Sequence, residues 1–211
     1  MFWVGVTGGI GSGKSSAARH LAKRGAALVD ADVLSAELIA PGGAAVAGVV
    51  ERFGTGLLAH DGGLDRKAVR SLIFNDASAK AEYDAVMRRL LLIRAKQECA
   101  RFERAPGPAP FGAFEIPLLF EAPAFRRLVD RTLVIDCETE TQARRALARG
   151  RHSESEIRSF LRAQTSRQDR LSIAQDVYVN EGSLEELARA MDLLFLVYLG
   201  LAQGRGRPAG V

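Results

Sequence analysis

Cysteine is nearly absent: Cys99 and Cys137 are the two in 211 residues, and neither belongs to a C-x-x-C pair. That leaves no disulfide framework and no thiolate metal site, and it fits a reducing compartment. A dominant charge sign is lacking as well, with 29 Lys and Arg against 25 Asp and Glu, a formal net charge of +4. Aromatic residues make up 7% of the chain and do not interleave with the basic residues. The arginines gathered between Arg144 and Arg170 therefore carry no nucleic-acid signature, and a polyphosphate ligand accounts for the same charge. The remainder of the excess sits in Arg205-Gly206-Arg207. The longest apolar run, Leu193 to Ala202, is about half a membrane span, and no basic leader precedes the first apolar segment. Arg189 and little else lies on the polar side of the last helical stretch, which argues against a membrane-surface role. No internal repeat is present. The expectation is a cytoplasmic protein of one domain, with no nucleic-acid and no membrane partner. Oligomeric state is not legible.

What the chain does have is the stretch Thr7 to Ser16, TGGIGSGKSS, which fits G-x-x-x-x-G-K-[ST] with Gly8, Gly13, Lys14 and Ser15 in place. Phe2 to Val6 leads in like a buried strand, and Ser16 to Ala22 leads out with helix formers. Glycines let consecutive N–H groups turn inward toward phosphate oxygens, and the helix that starts there favours the same negative charge. In such a loop Lys14 reaches the β and γ phosphates of a nucleotide and the Ser15 hydroxyl sits on Mg²⁺.

Strands and helices then alternate. Ala26 to Asp30, Phe111 to Ile116, Arg131 to Asp136 and Asp176 to Val179 read as further strands, five in all, which predicts an α/β fold with a five-stranded parallel sheet covered on both faces. Between the second and third strands the pattern predicts helices over Val33 to Ala40, Ala44 to Phe53, Arg66 to Phe74 and Ser78 to about Arg104. This block, about residues 33–105, is expected to form a helical insertion that covers a substrate. Ser153 with Glu156, and Ser183 with Glu186, predict capping boxes, the second opening a helix to about Gly200. Residues 139–168 are expected to form a lid, with Gly150-Arg151-His152 as its hinge.

A phosphate loop serves hydrolysis or transfer to an acceptor hydroxyl. Transfer must exclude water, and arginines on a closing lid stabilise charge on the moving phosphoryl group. Arg145, Arg149 and Arg151 are the natural suppliers, unless they form a solvated helix face. Asp32, just past a strand end, is placed to accept the hydroxyl proton, or else to cap the helix that follows. Asp30 is the alternative carboxylate, for a metal-bound water. No role is assigned to His20, His60 or His152.

TGGIGSGKSS, Val29-Asp30-Ala31-Asp32, Asp61-Gly62-Gly63-Leu64-Asp65-Arg66, Ile73-Phe74 and Ile116-Pro117-Leu118-Leu119-Phe120-Glu121 together resemble the dephospho-CoA kinase family. The resemblance runs on through Ala163-Gln164, Arg170 and Asn180-Glu181-Gly182, to about residue 190. It implies a three-layer P-loop kinase fold with a CoA-binding insertion and a lid. It implies ATP as co-substrate, Mg²⁺, and phosphorylation of the ribose 3′-hydroxyl of dephospho-CoA in the last step of CoA biosynthesis. Gly11, Ser12, Gly13, Lys14, Ser15 and Ser16 would hold the ATP phosphates, and Asn180 and Gly182 would lie near the adenine. Asp32 would be the base, and Arg66, Pro117, Leu118 and Glu121 would line the acceptor site. Arg145 and Arg149 would come from the lid. Three positions depart from the pattern. Arg88-Arg89 replaces His-Pro on the acceptor side, Ala174-Gln175 replaces Ala-Asp with Asp176 following, and Ser16 replaces Thr. The rival readings are another small-molecule kinase, and a nucleotide-binding regulatory protein without turnover.

Overall fold

The computed structural model describes residues 1–150 and 153–205. The expected hinge residues Arg151 and His152, and Gly206-Arg207 of the basic tail, lie outside the described residues. In chain order the elements are β1 (Trp3–Thr7), α1 (Lys14–Lys23), β2 (Ala27–Asp30), α2 (Ala31–Ile39), α3 (Val46–Phe53), α4 (Arg66–Asn75), α5 (Ala77–Arg104) and β3 (Gly112–Glu115). There follow α6 (Pro123–Arg126), β4 (Arg131–Asp136), α7 (Thr139–Ala148), α8 (Glu154–Ala163), α9 (Arg167–Ser172), β5 (Asp176–Val179) and α10 (Leu184–Arg205). Two compact units emerge, Met1–Val29 with Cys99–Val211, and Asp30–Glu98.

The first unit is built on the five-stranded parallel sheet, in the order β2-β3-β1-β4-β5. Successive side chains on a strand point to opposite faces, and here both faces are apolar. Phe2, Val4, Val6, Phe111, Ala113, Leu133 and Ile135 join Ala17, Ala18 and Leu21 of α1 and Leu187, Met191, Phe195 and Tyr198 of α10 in one core. On the alternate positions Trp3 meets Phe102 edge-on at 6.3 Å, and Phe114 meets Phe125 at 6.2 Å. A methyl group added at Gly5 would lie 3.1 Å from both Leu119 and Val129, so that position closes the second face. Each large apolar side chain fully buried this way contributes about 1.5–3 kcal/mol. Helices on both faces make the unit three layers deep.

The second unit has its own core of Leu38, Ala45, Val49, Leu57, Leu64 and Val69, with Val86, Met87 and Leu90 of α5 against it. Asp65 caps α4, accepting from Lys67 N–H at 2.7 Å and Ala68 N–H at 3.2 Å. Helix α2 corrects one expectation. It begins at Ala31, two residues early, and its cap is Asp30, whose Oδ1 accepts from Asp32 N–H at 2.9 Å and Val33 N–H at 3.2 Å. Asp32 is therefore a first-turn residue and not the cap. The helix stops at Ile39 because the residue before Pro41 is held extended.

Candidate functional site

The loop from Gly8 to Gly13 joins β1 to α1, and α1 starts at Lys14 with no side-chain cap. The positive end of its dipole lies at the loop and favours an anion there. Gly13 has φ of +100°, and a Cβ there would sit 2.4 Å from Asn180 Nδ2. Gly11, at φ +71°, would bring a Cβ within 2.6 Å of the Gln142 carbonyl oxygen. Only glycine meets both the dihedral and the space at these two positions. The loop is clasped from outside: Asn180 Nδ2 donates to the Ser12 carbonyl at 2.7 Å, and both residues are buried.

Ser15 donates its hydroxyl hydrogen to Glu115, whose side chain is 1% exposed at the end of β3. A hydroxyl and a carboxylate beside an uncapped helix start offer the hard oxygen donors that Mg²⁺ takes together with substrate phosphates and water. Among the described residues no group of three or more His, Cys, Asp or Glu could hold a metal by itself. The donor set therefore suits a cation shared with phosphates.

Around the segment after β5 the contacts are dense. Arg145, in the last turn of α7, donates to the Asn180 carbonyl at 2.7 Å and to the Gly182 carbonyl at 2.8 Å. Glu181 accepts from Thr141 Oγ1 at 2.6 Å and from Glu138 N–H at 2.5 Å, which holds its carboxyl below the usual range and places its charge at the positive end of α7. Arg149 ends α7 and is exposed. Past Ser16, a cavity of about 320 Å³ opens between Arg19, His20 and Lys23 of α1 and Leu184, Leu187 and Ala188 of α10.

The segment after β3 carries the expected acceptor residues of this unit. The Pro117 carbonyl accepts from Thr7 Oγ1 at 3.3 Å, Leu118 is 60% exposed, and Glu121 accepts from the Thr165 hydroxyl. Thr165 in turn offers its carbonyl to Arg170, a buried guanidinium whose pKa is lowered first by desolvation. Arg167 pairs with buried Asp136 at 2.7 Å and with Glu138 at 2.5 Å. Its hydrogen bonds to these carboxylates raise its pKa further.

Asp32 and Arg66 belong to the second unit, Asp32 exposed in the first turn of α2 and Arg66 exposed at the start of α4. The structure thus brings the phosphate loop, Asn180, Gly182 and Arg145 into one network. It also brings in Glu115, Gln142 and Arg167, to which the sequence assigns no role, and Glu181, which the sequence shows only as the middle of Asn180-Glu181-Gly182. Glu115 had a signal, a carboxylate inside a strand otherwise apolar.

The family model described as dephospho-CoA kinase matches residues 2–186. A protein of Ralstonia nicotianae named dephospho-CoA kinase is 43% identical over 199 residues, covering 92% of this chain and 97% of its own. One of Aromatoleum aromaticum with the same name is 40% identical, covering 97% and 98%. Among solved structures, a Thermus thermophilus protein superposes with a TM-score of 0.76 at 32% identity, covering 93% and 97%. The dephospho-CoA kinase of Campylobacter jejuni gives 0.70 at 20% identity, covering 96% and 98%. Shikimate kinase of Acinetobacter baumannii gives 0.52 at 15% identity, covering 93% and 94%. The last two speak for the fold alone.

Proposed function

The chain belongs to the dephospho-CoA kinase family, and from that premise we propose how its residues carry out ATP-dependent phosphorylation of dephospho-CoA. The loop Gly11 to Ser16 takes the ATP phosphates, with Lys14 on the transferred group. Mg²⁺, when bound, supplies positive charge across the phosphates, and Ser15 with Glu115 would hold it. Asp32 takes the proton of the ribose 3′-hydroxyl as that oxygen bonds to the γ-phosphorus and the bond to the β-phosphate oxygen breaks, releasing ADP. Arg66, Pro117, Leu118 and Glu121 line the acceptor site, residues of about 33–105 cover it, and residues of about 139–168 act as the lid.

Arg149 is the lid arginine proposed for the moving phosphoryl group. Arg145 acts on the donor side: its two bonds to the Asn180 and Gly182 carbonyls hold the segment proposed to lie near the adenine. The work is proposed to take place in the cytoplasm, on ATP and dephospho-CoA, without nucleic acid or membrane. Helix Leu184–Gly204 is apolar and long enough to span a bilayer, yet Leu187, Met191, Phe195 and Tyr198 commit one side of it to the core.

The observation that carries the reading is the match of nearly the whole chain to the family, with the phosphate loop folded as an uncapped helix start. A coupled ADP-release assay tests it. ADP should form with dephospho-CoA and not with adenosine or nucleoside monophosphates. ATP binding by calorimetry, with no ADP formed from any acceptor, would overturn it.

A further inference from the structure

Helix α8 ends at Gln164, and that side chain reaches the phosphate loop. Its Oε1 accepts from Ile10 N–H at 3.2 Å, and its Nε2 donates to Gln142 Oε1 at 3.0 Å. Gln142, 2% exposed on α7, passes the bond on, donating from Nε2 to the Cys137 carbonyl at 3.1 Å. The relay has a fixed direction, because it starts on a backbone N–H and ends on a backbone C=O. Two primary amides in series, each accepting at one end and donating at the other, satisfy it; no charged or apolar pair of the same length does. A Cβ on Gly9 would fall 2.4 Å from Gln142 Oε1, so the loop lies directly against the relay.

The next residue points the other way. Thr165 donates to Glu121, beyond β3, and accepts from Arg170. Two adjacent residues at the end of α8 thus tie the phosphate loop and the segment carrying Glu121 to one junction.

We propose that Gln164 is a positioning residue for phosphoryl transfer, fixing the tip of the phosphate loop at Ile10 through the Gln164–Gln142 relay so that a movement of α8 reaches the donor phosphate. The proposal rests on the kinase reading. It acts on geometry more than on affinity, because the rest of the loop binds phosphates whether or not its tip is held. A misplacement of about 1 Å at the reacting group costs roughly 10²-fold in rate.

The experiment compares Gln164→Ala, Gln164→Met and Gln164→Glu in the full chain. For Ala and Met, kcat should fall at least ~tenfold while the ATP dissociation constant by calorimetry moves less than ~threefold. Gln164→Glu should recover part of the rate, since a carboxylate oxygen still accepts from Ile10 N–H. Methionine fills the same space without polar atoms, so a Gln164→Met enzyme at wild-type kcat overturns the proposal. Exchange of the Ile10 amide, followed by NMR without acceptor, should be at least ~tenfold faster in Gln164→Met, and unchanged exchange overturns the relay as well. A wild-type protein that releases no ADP sinks the kinase reading instead, and the amide measurement still decides the relay.

Discussion

At Ser15 the hydroxyl hydrogen goes to Glu115, a carboxylate with 1% of its surface exposed. A buried carboxylate of this kind needs hydrogen-bond partners, and Ser15 is one of them. Glu115→Gln keeps the size and an acceptor while removing the charge. Titrating Mg²⁺ against turnover should then show half-saturation shifted upward by about 10–100-fold, with the melting temperature unchanged or raised. Asp32→Asn should lower kcat by about 10²–10⁴-fold and leave ATP affinity by calorimetry as it was; near-wild-type turnover would remove Asp32 as the base. The sequence shows both carboxylates of Asp30-Ala31-Asp32, and their division of labour only after folding. Asp30 is the last residue of β2 and the cap of α2 at once, and Asp32 stands in the first turn of α2. Glu115 is visible as a carboxylate in an apolar strand, but its partner is not, because Ser15 lies 100 residues away in the chain.

Elements meet at the turn from loop to α1, where Gly13 and Asn180 share one space. Gly13→Ala should cost about 1–3 kcal/mol for the left-handed backbone alone, and its added carbon would lie 2.4 Å from Asn180 Nδ2. Asn180→Ala should cost about 1–3 kcal/mol by stripping the buried Ser12 carbonyl of its donor. Because Asn180→Ala also clears the space, the double variant should cost less than the two singles together, as read by urea unfolding. Strands and capping boxes were legible because they rest on local chemistry. Ser153 with Glu156 forms the box at α8, and Ser183 with Glu186 exchanges bonds of 2.7 and 3.2 Å at α10. Helix α10 runs on past Gly200 to Arg205, since a glycine in a helix costs only about 1 kcal/mol and Leu199 and Ala202 still pack on the core. The bonds of Arg145, Gln142 and Gln164 join segments far apart in the chain, and no local pattern announces them.

For the molecule as a whole, stability against acid has an identifiable contributor at the sheet's edge strand β5. Arg131 holds the Asp176 carboxylate at 2.6 and 2.8 Å, Tyr198 adds a bond at 3.0 Å, and the Arg131 hydrogen bond leads in depressing the Asp176 pKa. Beside it, Gln175 accepts from Thr132 N–H at 2.8 Å. A depressed carboxylate stabilises fully above the unfolded-chain value of about 3.9 and stops doing so as pH falls through its lower folded value. Asp176→Asn should therefore cost about 1.5–3 kcal/mol at pH 7, and its gap from wild type in urea unfolding should narrow below about pH 4. In the unit Asp30–Glu98, Val49 is fully buried in a separate core. Val49→Ala should cost about 1–3 kcal/mol. Native-state hydrogen exchange should quicken within residues 30–98 while the amides of β1 and β4 keep their protection. A segment that supplies its own core is also a segment that can be rewritten. A laboratory chimera that exchanges residues 30–98 between two relatives would carry the core of Leu38, Ala45, Val49, Leu57, Leu64 and Val69 across as one piece.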